Sequence, residues 1–351
     1  MNEIRLHPSV EIFDQLIRNN GKMLLAELYE KLGKCHRVYK ADRKYRRIFR
    51  VQSIVLKAIR EYLDNLGFVE LLPPIVGPAT DPGIRGASKA STDFYGTRYN
   101  IMSSAILYKQ MMVDVLGRIY FVSPNIRLEK PETVATGRHL AEFFQVDVEI
   151  RGAGYHDAMR VAEGMLDYTL RRVIEECWGD LEELGRILDV KRPPYPRITY
   201  DEALAKLSSL GFKVETGSEI PWDQEKTLSA LFDTPFFLID FPKTARGFYD
   251  REDPDKPGVL RDFDLIYPEG FGEAASGAER EYEYEKVLKR MLGQGENPSE
   301  YNWYLDMLKE GISPSAGFGI GVERLTRYVC GLPAVWEARP YPKVPGIVPT
   351  P

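Results

Sequence analysis

The chain has 351 residues, of which 44% are hydrophobic and 28% are charged, and its formal net charge is -5. This composition is typical of a globular enzyme with one large core or two domains, and the negative charge argues against a large nucleic-acid-binding surface. No apolar run approaches the length of a membrane span and the N-terminus has no secretion signal, so we expect a cytoplasmic protein that does not enter a membrane.

Residues 1–42 are predicted to form a helical extension, followed by a larger domain over residues 43–351. Apolar side chains recur at helical spacing over residues 10–17 and continue over residues 23–32 after Asn20-Gly21, which indicates one or two short helices. A basic run from Lys34 to Arg50 could contact RNA, although a solvated helix face explains it more simply. The extension lacks the alternating strands of a nucleic-acid-binding β-barrel.

The next segments predict a helix, a strand and a loop. Residues 48–66 carry an amphipathic helical stripe, and residues 68–72 read as a strand that ends at two prolines. Residues 80–92 form a glycine- and serine-rich loop, which could be a lid or only a connection. Residues 104–115 are helical and contain Lys109 in an apolar run, where a lysine usually reaches the surface or, if turned inward, needs an anion.

Residues 121–150 are predicted to form a β-hairpin around which the rest of the chain is organised. Both arms alternate between apolar and polar residues, and the connecting loop contains Pro131 and Gly137. Arg127 and Glu129 lie two positions apart, so they share one face of a strand. That face could bind a polyanion together with its metal ion.

The second half of the chain adds acidic residues and a glycine-spaced strand. Residues 155–231 are predicted to be a mostly helical insertion. Asp262, Asp264 and Glu273 provide the oxygen ligands that magnesium uses beside phosphates. Residues 317–321 have glycine at every second position and lead into a helix, but they lack the context of a dinucleotide-binding motif, so a Rossmann fold is excluded.

Three of these segments resemble, in order, motifs 1, 2 and 3 of the class II aminoacyl-tRNA synthetases. The matching stretches are residues 48–74, residues 127–143 and residues 319–324, while residues 107–110 and 273–280 indicate the aspartyl/asparaginyl subgroup. The resemblance implies an α+β fold in which helices flank an antiparallel sheet. It also implies bent ATP with Mg2+, conversion of a carboxylate into an acyl-adenylate, and a homodimer formed through motif 1.

The resemblance also implies roles for individual residues. Arg127 and Arg324 are the expected catalytic residues, because their charges would stabilise the phosphates during adenylation. The expected metal ligands are Asp264 and Glu273. The expected ATP-binding residues are Arg127, Glu129, His139, Leu140, Phe143, Glu273, Gly321 and Arg324. The expected aspartate-binding residues are Ser104, Lys109, Asp147, Ser276, Gly277 and Arg280.

Aspartate is the expected substrate because Lys109 and Arg280 match the two cations that grip its side-chain carboxylate in the aspartyl enzymes. Two departures change how it would bind. Ile106 stands where the aspartyl pattern has glutamine, and Arg85 where it has glutamate, and both missing groups help to hold the amino group. If Lys109 and Arg280 bind the α-carboxylate instead, the β-carboxylate lies at the α-phosphate of ATP, and Asp147 is a candidate for the amino group.

The resulting expectation is an ammonia-dependent asparagine synthetase of the archaeal type related to asparaginyl-tRNA synthetases. The start Met1-Asn2 offers no N-terminal cysteine for glutamine hydrolysis, so free ammonia is the expected nitrogen source. The missing β-barrel makes tRNA an unexpected partner. Two alternatives stay open: a paralogue that aminoacylates tRNA or another acceptor, which the basic run supports, and a non-catalytic regulatory paralogue, which the intact charged motifs disfavour.

Overall fold

The computed structural model describes residues 4–81 and 86–347. Its strands are Val69–Glu70 (β1), Val76–Gly77 (β2), Ser91–Phe94 (β3), Thr97–Ile101 (β4), Arg118–Ile126 (β5), Glu142–Arg151 (β6), Arg197–Thr199 (β7), Phe236–Ile239 (β8), Asp262–Tyr267 (β9), Gly272–Glu279 (β10) and Ser315–Gly321 (β11). Eight strands form one sheet in the order β1-β5-β6-β11-β10-β9-β8-β7, and β2, β4 and β3 form a small second sheet. In the large sheet only the β1–β5 and β7–β8 pairs are parallel, so the predicted antiparallel sheet is confirmed.

Helices flank this sheet, as predicted. They are Pro8–Gly33 (α1), Cys35–Ala41 (α2), Lys44–Asn65 (α3), Ile106–Leu116 (α4), Tyr155–Glu183 (α5), Tyr200–Ser209 (α6), Trp222–Ser229 (α7), Tyr284–Gly293 (α8), Asn302–Glu310 (α9) and Val322–Cys330 (α10). Short 3-10 turns occupy Pro131–Thr136, Lys243–Ala245, Pro298–Tyr301 and Val335–Ala338. Among the helices of the described ranges, none is long and apolar enough to cross a membrane.

The predicted hairpin corresponds to β5 and β6, which pair with Ile126 opposite Glu142. The alternation along β6 divides its side chains between two faces of the sheet. Val146 and Val148 join the main core, which α3 and α5 cover, whereas Asp147 and Glu149 point to the opposite face. The period-2 pattern therefore creates both the core and one wall of a polar site.

The structure decides between the one or two helices expected before residue 42 and shortens a predicted strand. The chain passes Asn20-Gly21 without a break, and α1 is one long helix that continues to Gly33. A glycine inside a helix costs about 1 kcal/mol, and core packing of Phe13 and Leu28 on either side of this point offsets that cost. The strand expected at residues 68–72 is shortened to Val69–Glu70, because the prolines that follow have no N–H for the ladder.

The segment from residue 155 to residue 231 is built into the main body of the protein. Its first helix, α5, packs along α3 and the large sheet, and β7 forms one edge of that sheet. Its last helix, α7, reaches the cavity described below. These contributions were not expected from a helical insertion. The predicted domain boundary at residue 42 falls between α2 and α3.

Candidate active site

A cavity of about 360 Å³ opens on the face of the sheet that α3 and α5 leave uncovered. The hairpin, β10, β11, α7, α10 and the segment from residue 246 to residue 250 line it. Every residue predicted for the site lies at its wall except Asp264. The predicted residues that line it are Ser104, Lys109, Arg127, Glu129, His139, Leu140, Phe143, Asp147, Glu273, Ser276, Gly277, Arg280, Gly321 and Arg324.

One group of charged side chains surrounds Glu273, and we call it the Glu273 group: Arg138, Glu225, Glu273 and Arg324. The Glu273 Oε2 atom lies 3.2 Å from Arg138 Nη2 and 3.2 Å from Arg324 Nη1. Arg138 Nη1 donates to Glu225 Oε1 over 2.9 Å, and its guanidinium lies 4.5 Å from the Trp222 ring centre. Helix α7 therefore holds Arg138 at the wall of the cavity.

Arg127 lies beside this group in a fixed orientation. Its Nε donates to the Ser103 carbonyl over 3.1 Å, and its guanidinium lies 5.0 Å from the ring centre of Phe143. Burial raises the pKa of Glu129 and of Glu225, whereas the charges of the neighbouring arginines act to lower it. The arginines therefore make this part of the cavity suitable for a polyanion such as a triphosphate.

His139 is neutral in this environment. Burial, followed by the charges of Arg138 and Arg324, lowers its pKa to about 2. Its Nδ1 atom lies 2.8 Å from Thr136 Oγ1, which fixes the ring. A neutral imidazole can hydrogen-bond a nucleotide without adding charge to the site.

A second group of charged side chains, the Lys109 group, consists of Lys109, Asp147, Glu149, Asp250 and Arg280. The Lys109 ammonium is buried, lies 3.3 Å from Asp147 Oδ1 and 3.6 Å from Glu149 Oε2, and so has turned inward toward anions. Arg280 donates from Nε to Glu149 Oε1 over 3.1 Å and from Nη1 to Asp250 Oδ1 over 3.0 Å. The two predicted substrate-binding cations are thus already paired with three carboxylates.

The glycines of β11 make room for two of these carboxylates. A Cβ on Gly319 would lie 2.9 Å from Asp147 Oδ1, and one on Gly317 would collide with the Glu149 carboxylate. At Gly317 both the Glu149 side chain and the Val148 backbone carbonyl of the adjacent strand β6 approach closely, and at Gly319 the Asp147 side chain does.

The two predicted metal ligands lie in different surroundings. Glu273 faces the cavity beside the arginines, whereas Asp264 Oδ2 accepts from buried Arg246 over 2.7 Å. Within residues 4–81 and 86–347, no three histidine, cysteine or acidic side chains form a ready-made metal site. Magnesium often uses only one or two carboxylates plus substrate phosphates, so Glu273 fits such a role. For both Glu273 and Asp264, magnesium binding stays a prediction.

Several side chains of the site were not predicted from the sequence. Glu149 could have been found, because it follows Asp147 on the same face of β6. Trp222, Glu225 and Asp250 reach the site from segments without a matching motif. Of the two departures noted above, Ile106 lines the cavity, while Arg85 lies outside the described residues.

Comparisons with known proteins agree with this architecture. The family model described as tRNA synthetases class II (D, K and N) matches residues 31–345. The asparagine–tRNA ligase of Pyrococcus furiosus is 36% identical over 301 residues, which cover 85% of this chain and 68% of the relative.

Solved structures show the same relationship. Asparaginyl-tRNA synthetase from Pyrococcus horikoshii complexed with asparaginyl-adenylate superposes with a TM-score of 0.86 at 34% identity, over 91% of this chain and 73% of that one. Aspartyl-tRNA synthetase from Entamoeba histolytica has a TM-score of 0.77 at 27% identity, over 90% of this chain and 62% of that one. This chain belongs to the class II tRNA synthetase (D, K and N) family.

Proposed function

We propose that this protein is an ammonia-dependent asparagine synthetase that forms asparagine, AMP and pyrophosphate from aspartate, ATP and ammonia. The observation that carries the proposal is the buried Lys109, which with Arg280 places two cations in the same cavity as Arg127 and Arg324. Family membership supports the first half of the reaction, the ATP-dependent activation of an amino acid carboxylate. The relative solved with asparaginyl-adenylate supports the same half.

The proposed reaction has two balanced steps. A β-carboxylate oxygen of aspartate attacks the α-phosphorus of ATP, and the bond to pyrophosphate breaks. Ammonia then attacks the carbonyl carbon of the β-aspartyl-adenylate, the bond to AMP breaks, and the nitrogen loses one proton. Arg127 and Arg324 stabilise the charge that develops on the phosphates in the first step. Glu273 is positioned to hold Mg2+, which would neutralise phosphate charge when bound.

A second function is favoured by the relatives themselves. The first relatives are asparagine–tRNA ligases, which supports a protein that charges a tRNA with an amino acid. The basic run gives this alternative limited support, because four of its members are paired with acids: Lys34 with Glu30, Lys44 with Glu337, Arg47 with Glu183 and Arg50 with Asp180.

One set of incubations separates the two functions. The protein is incubated with ATP, Mg2+ and either aspartate plus ammonium or asparagine plus tRNA. The proposal predicts asparagine and AMP in equal amounts without tRNA. Asparaginyl-tRNA as the only product would establish the second function, and ADP in place of AMP would exclude adenylation altogether.

A further inference from the structure

We propose that Asp250 binds the α-amino group of aspartate and that Asp250 and Arg280 together bind the α-carbon end of the substrate. This inference rests on the proposed function and specifies the orientation of its substrate. It replaces Asp147 as the candidate for the amino group.

Asp250 is the carboxylate of the Lys109 group with an oxygen available to a ligand. It is 6% exposed and lines the cavity. Its Oδ1 accepts from Arg280, while its Oδ2 has no hydrogen bond to any residue within the two described ranges. Because this carboxylate oxygen belongs to a residue at the cavity wall and has no donor, a cationic group that enters the cavity can donate a charge-assisted hydrogen bond to it.

The other two carboxylates of this group are more fully engaged. Glu149 is completely buried, and its oxygens accept from Arg280 and from Ser315 Oγ. Asp147 Oδ2 accepts from Ser123 Oγ over 2.5 Å, and its Oδ1 faces Lys109. Both residues therefore serve mainly to neutralise the buried cations.

Backbone hydrogen bonds fix Asp250 beside Arg280. Arg251 N donates to the Glu279 carbonyl over 2.9 Å, and Glu281 N donates to the Tyr249 carbonyl over 2.8 Å. An isolated antiparallel bridge thus pairs Asp250 with Arg280, just beyond the end of β10. The carboxylate and the guanidinium are held in one relative position before a substrate arrives.

This arrangement matches the α-carbon of an amino acid, which carries a carboxylate and an ammonium group side by side. Arg280 uses three of its five N–H groups on Glu149 and Asp250, so one on Nη1 and one on Nη2 remain for a carboxylate. Asp250 Oδ2 can accept from the neighbouring ammonium. A β-carboxylate at Arg280 has no ammonium group on the adjacent carbon, so nothing would offset its repulsion by the Asp250 carboxylate.

The test compares aspartate with succinate, which has both carboxylates and no amino group. In Asp250→Asn we expect the KM for aspartate in AMP formation to rise at least about tenfold, because a charge-assisted hydrogen bond is lost. The inhibition constant of succinate against aspartate should stay within about twofold. Asp250→Glu should restore part of the affinity for aspartate, and Asp255→Asn, an exposed change in the same segment, should have no effect.

Two outcomes would overturn the inference. Equal weakening of aspartate and succinate in Asp250→Asn would mean that Asp250 only positions Arg280. Loss of the preference for aspartate over succinate in Asp147→Asn, with Asp250→Asn unaffected, would assign the amino group to Asp147.

Hydroxylamine in place of ammonia separates this inference from the proposed function. The β-hydroxamate of aspartate from the unmodified protein supports activation of the β-carboxylate. If that product forms and Asp250→Asn still binds aspartate normally, only the role of Asp250 is wrong. If the unmodified protein forms the α-hydroxamate, the orientation and the proposed function fail together.

Discussion

Asp14 and Lys226 form an ion pair that joins α1 to α7. Helix α7 also holds Arg138 at the cavity wall. Phe13 of α1 packs against Gly137, the residue before Arg138, where an added Cβ would lie 2.7 Å from the Phe13 ring. Helix α1 lies almost entirely before the region that the family model matches, yet it contacts both elements that position Arg138.

We therefore expect the α1 ion pair to affect ATP more than aspartate. Asp14→Asn should raise the KM for ATP about two- to fivefold, the range expected for loss of one partly exposed ion pair, and leave the KM for aspartate unchanged. The measurement is ATP–pyrophosphate exchange with each substrate varied in turn. The double variant Asp14→Lys with Lys226→Asp should recover the affinity for ATP.

The matched control is Lys309→Met, which removes the exposed ion pair with Asp306 far from α1 in sequence. It should change neither KM. An equal rise of both KM values in Asp14→Asn would show a general loss of structure instead of an effect on ATP.

Arg127 should act on the adenylation step itself. Arg127→Lys keeps the charge but loses the planar group that bonds Ser103 and packs on Phe143. We expect kcat for AMP formation to fall about 100-fold, the typical loss when a transition-state donor is removed. Arg98→Lys, on the exposed strand β4, is the control and should retain full activity. A fall in affinity for aspartate with kcat intact would contradict this role.

Glu323 should make stability depend on pH. Burial raises the pKa of this carboxyl from 4.5 to about 7, although its Oε2 accepts from Phe144 N over 3.0 Å. Between pH 4.5 and about pH 7 the folded protein holds a proton on Glu323 that the unfolded chain has released. The free energy of unfolding therefore falls as the pH rises through this window. Across the whole window the free energy of unfolding falls by about 3 kcal/mol.

Glutamine cannot ionise, so Glu323→Gln should lack this loss. Urea unfolding at pH 5 and pH 8 should show the variant gaining up to about 3 kcal/mol relative to the unmodified protein between the two conditions. Glu285→Gln, on the exposed side of α8, should show no such gain. A difference between variant and unmodified protein that does not change with pH would refute the prediction.

The edge of the sheet at β1 should form the predicted homodimer interface. Leu72 is 96% exposed and Ile75 is 65% exposed just after this strand, and Val115 of α4 is also exposed. Apolar side chains with this much solvent exposure favour association between copies of the chain. We expect Leu72→Asp to shift the protein from dimer to monomer in sedimentation velocity, whereas Ile187→Asp, at another exposed site, should not. A monomeric unmodified protein would exclude the interface.

The local pattern of the sequence was sufficient to name many of the residues that line the cavity. Alternation along β6 predicted which residues enter the core, and the same alternation placed Asp147 on the polar face. The motif residues Arg127, Glu273 and Arg324 could be named because each lies in a short stretch with a recognisable spacing. Strand alternation and motif spacing involve residues only a few positions apart, so both can be recognised directly in the sequence.

Contacts between distant segments could not be predicted in this way. The sequence by itself determined the antiparallel sheet and the hairpin, and its motifs predicted that Arg127 and Arg324 bind ATP. Only the tertiary structure decided that Lys109 is buried against Asp147 and Glu149, and that Asp250 lies beside Arg280. The physical reason is that a buried charge is stabilised by whichever opposite charge the fold brings close, and Glu149 and Arg280 are 131 positions apart in the chain.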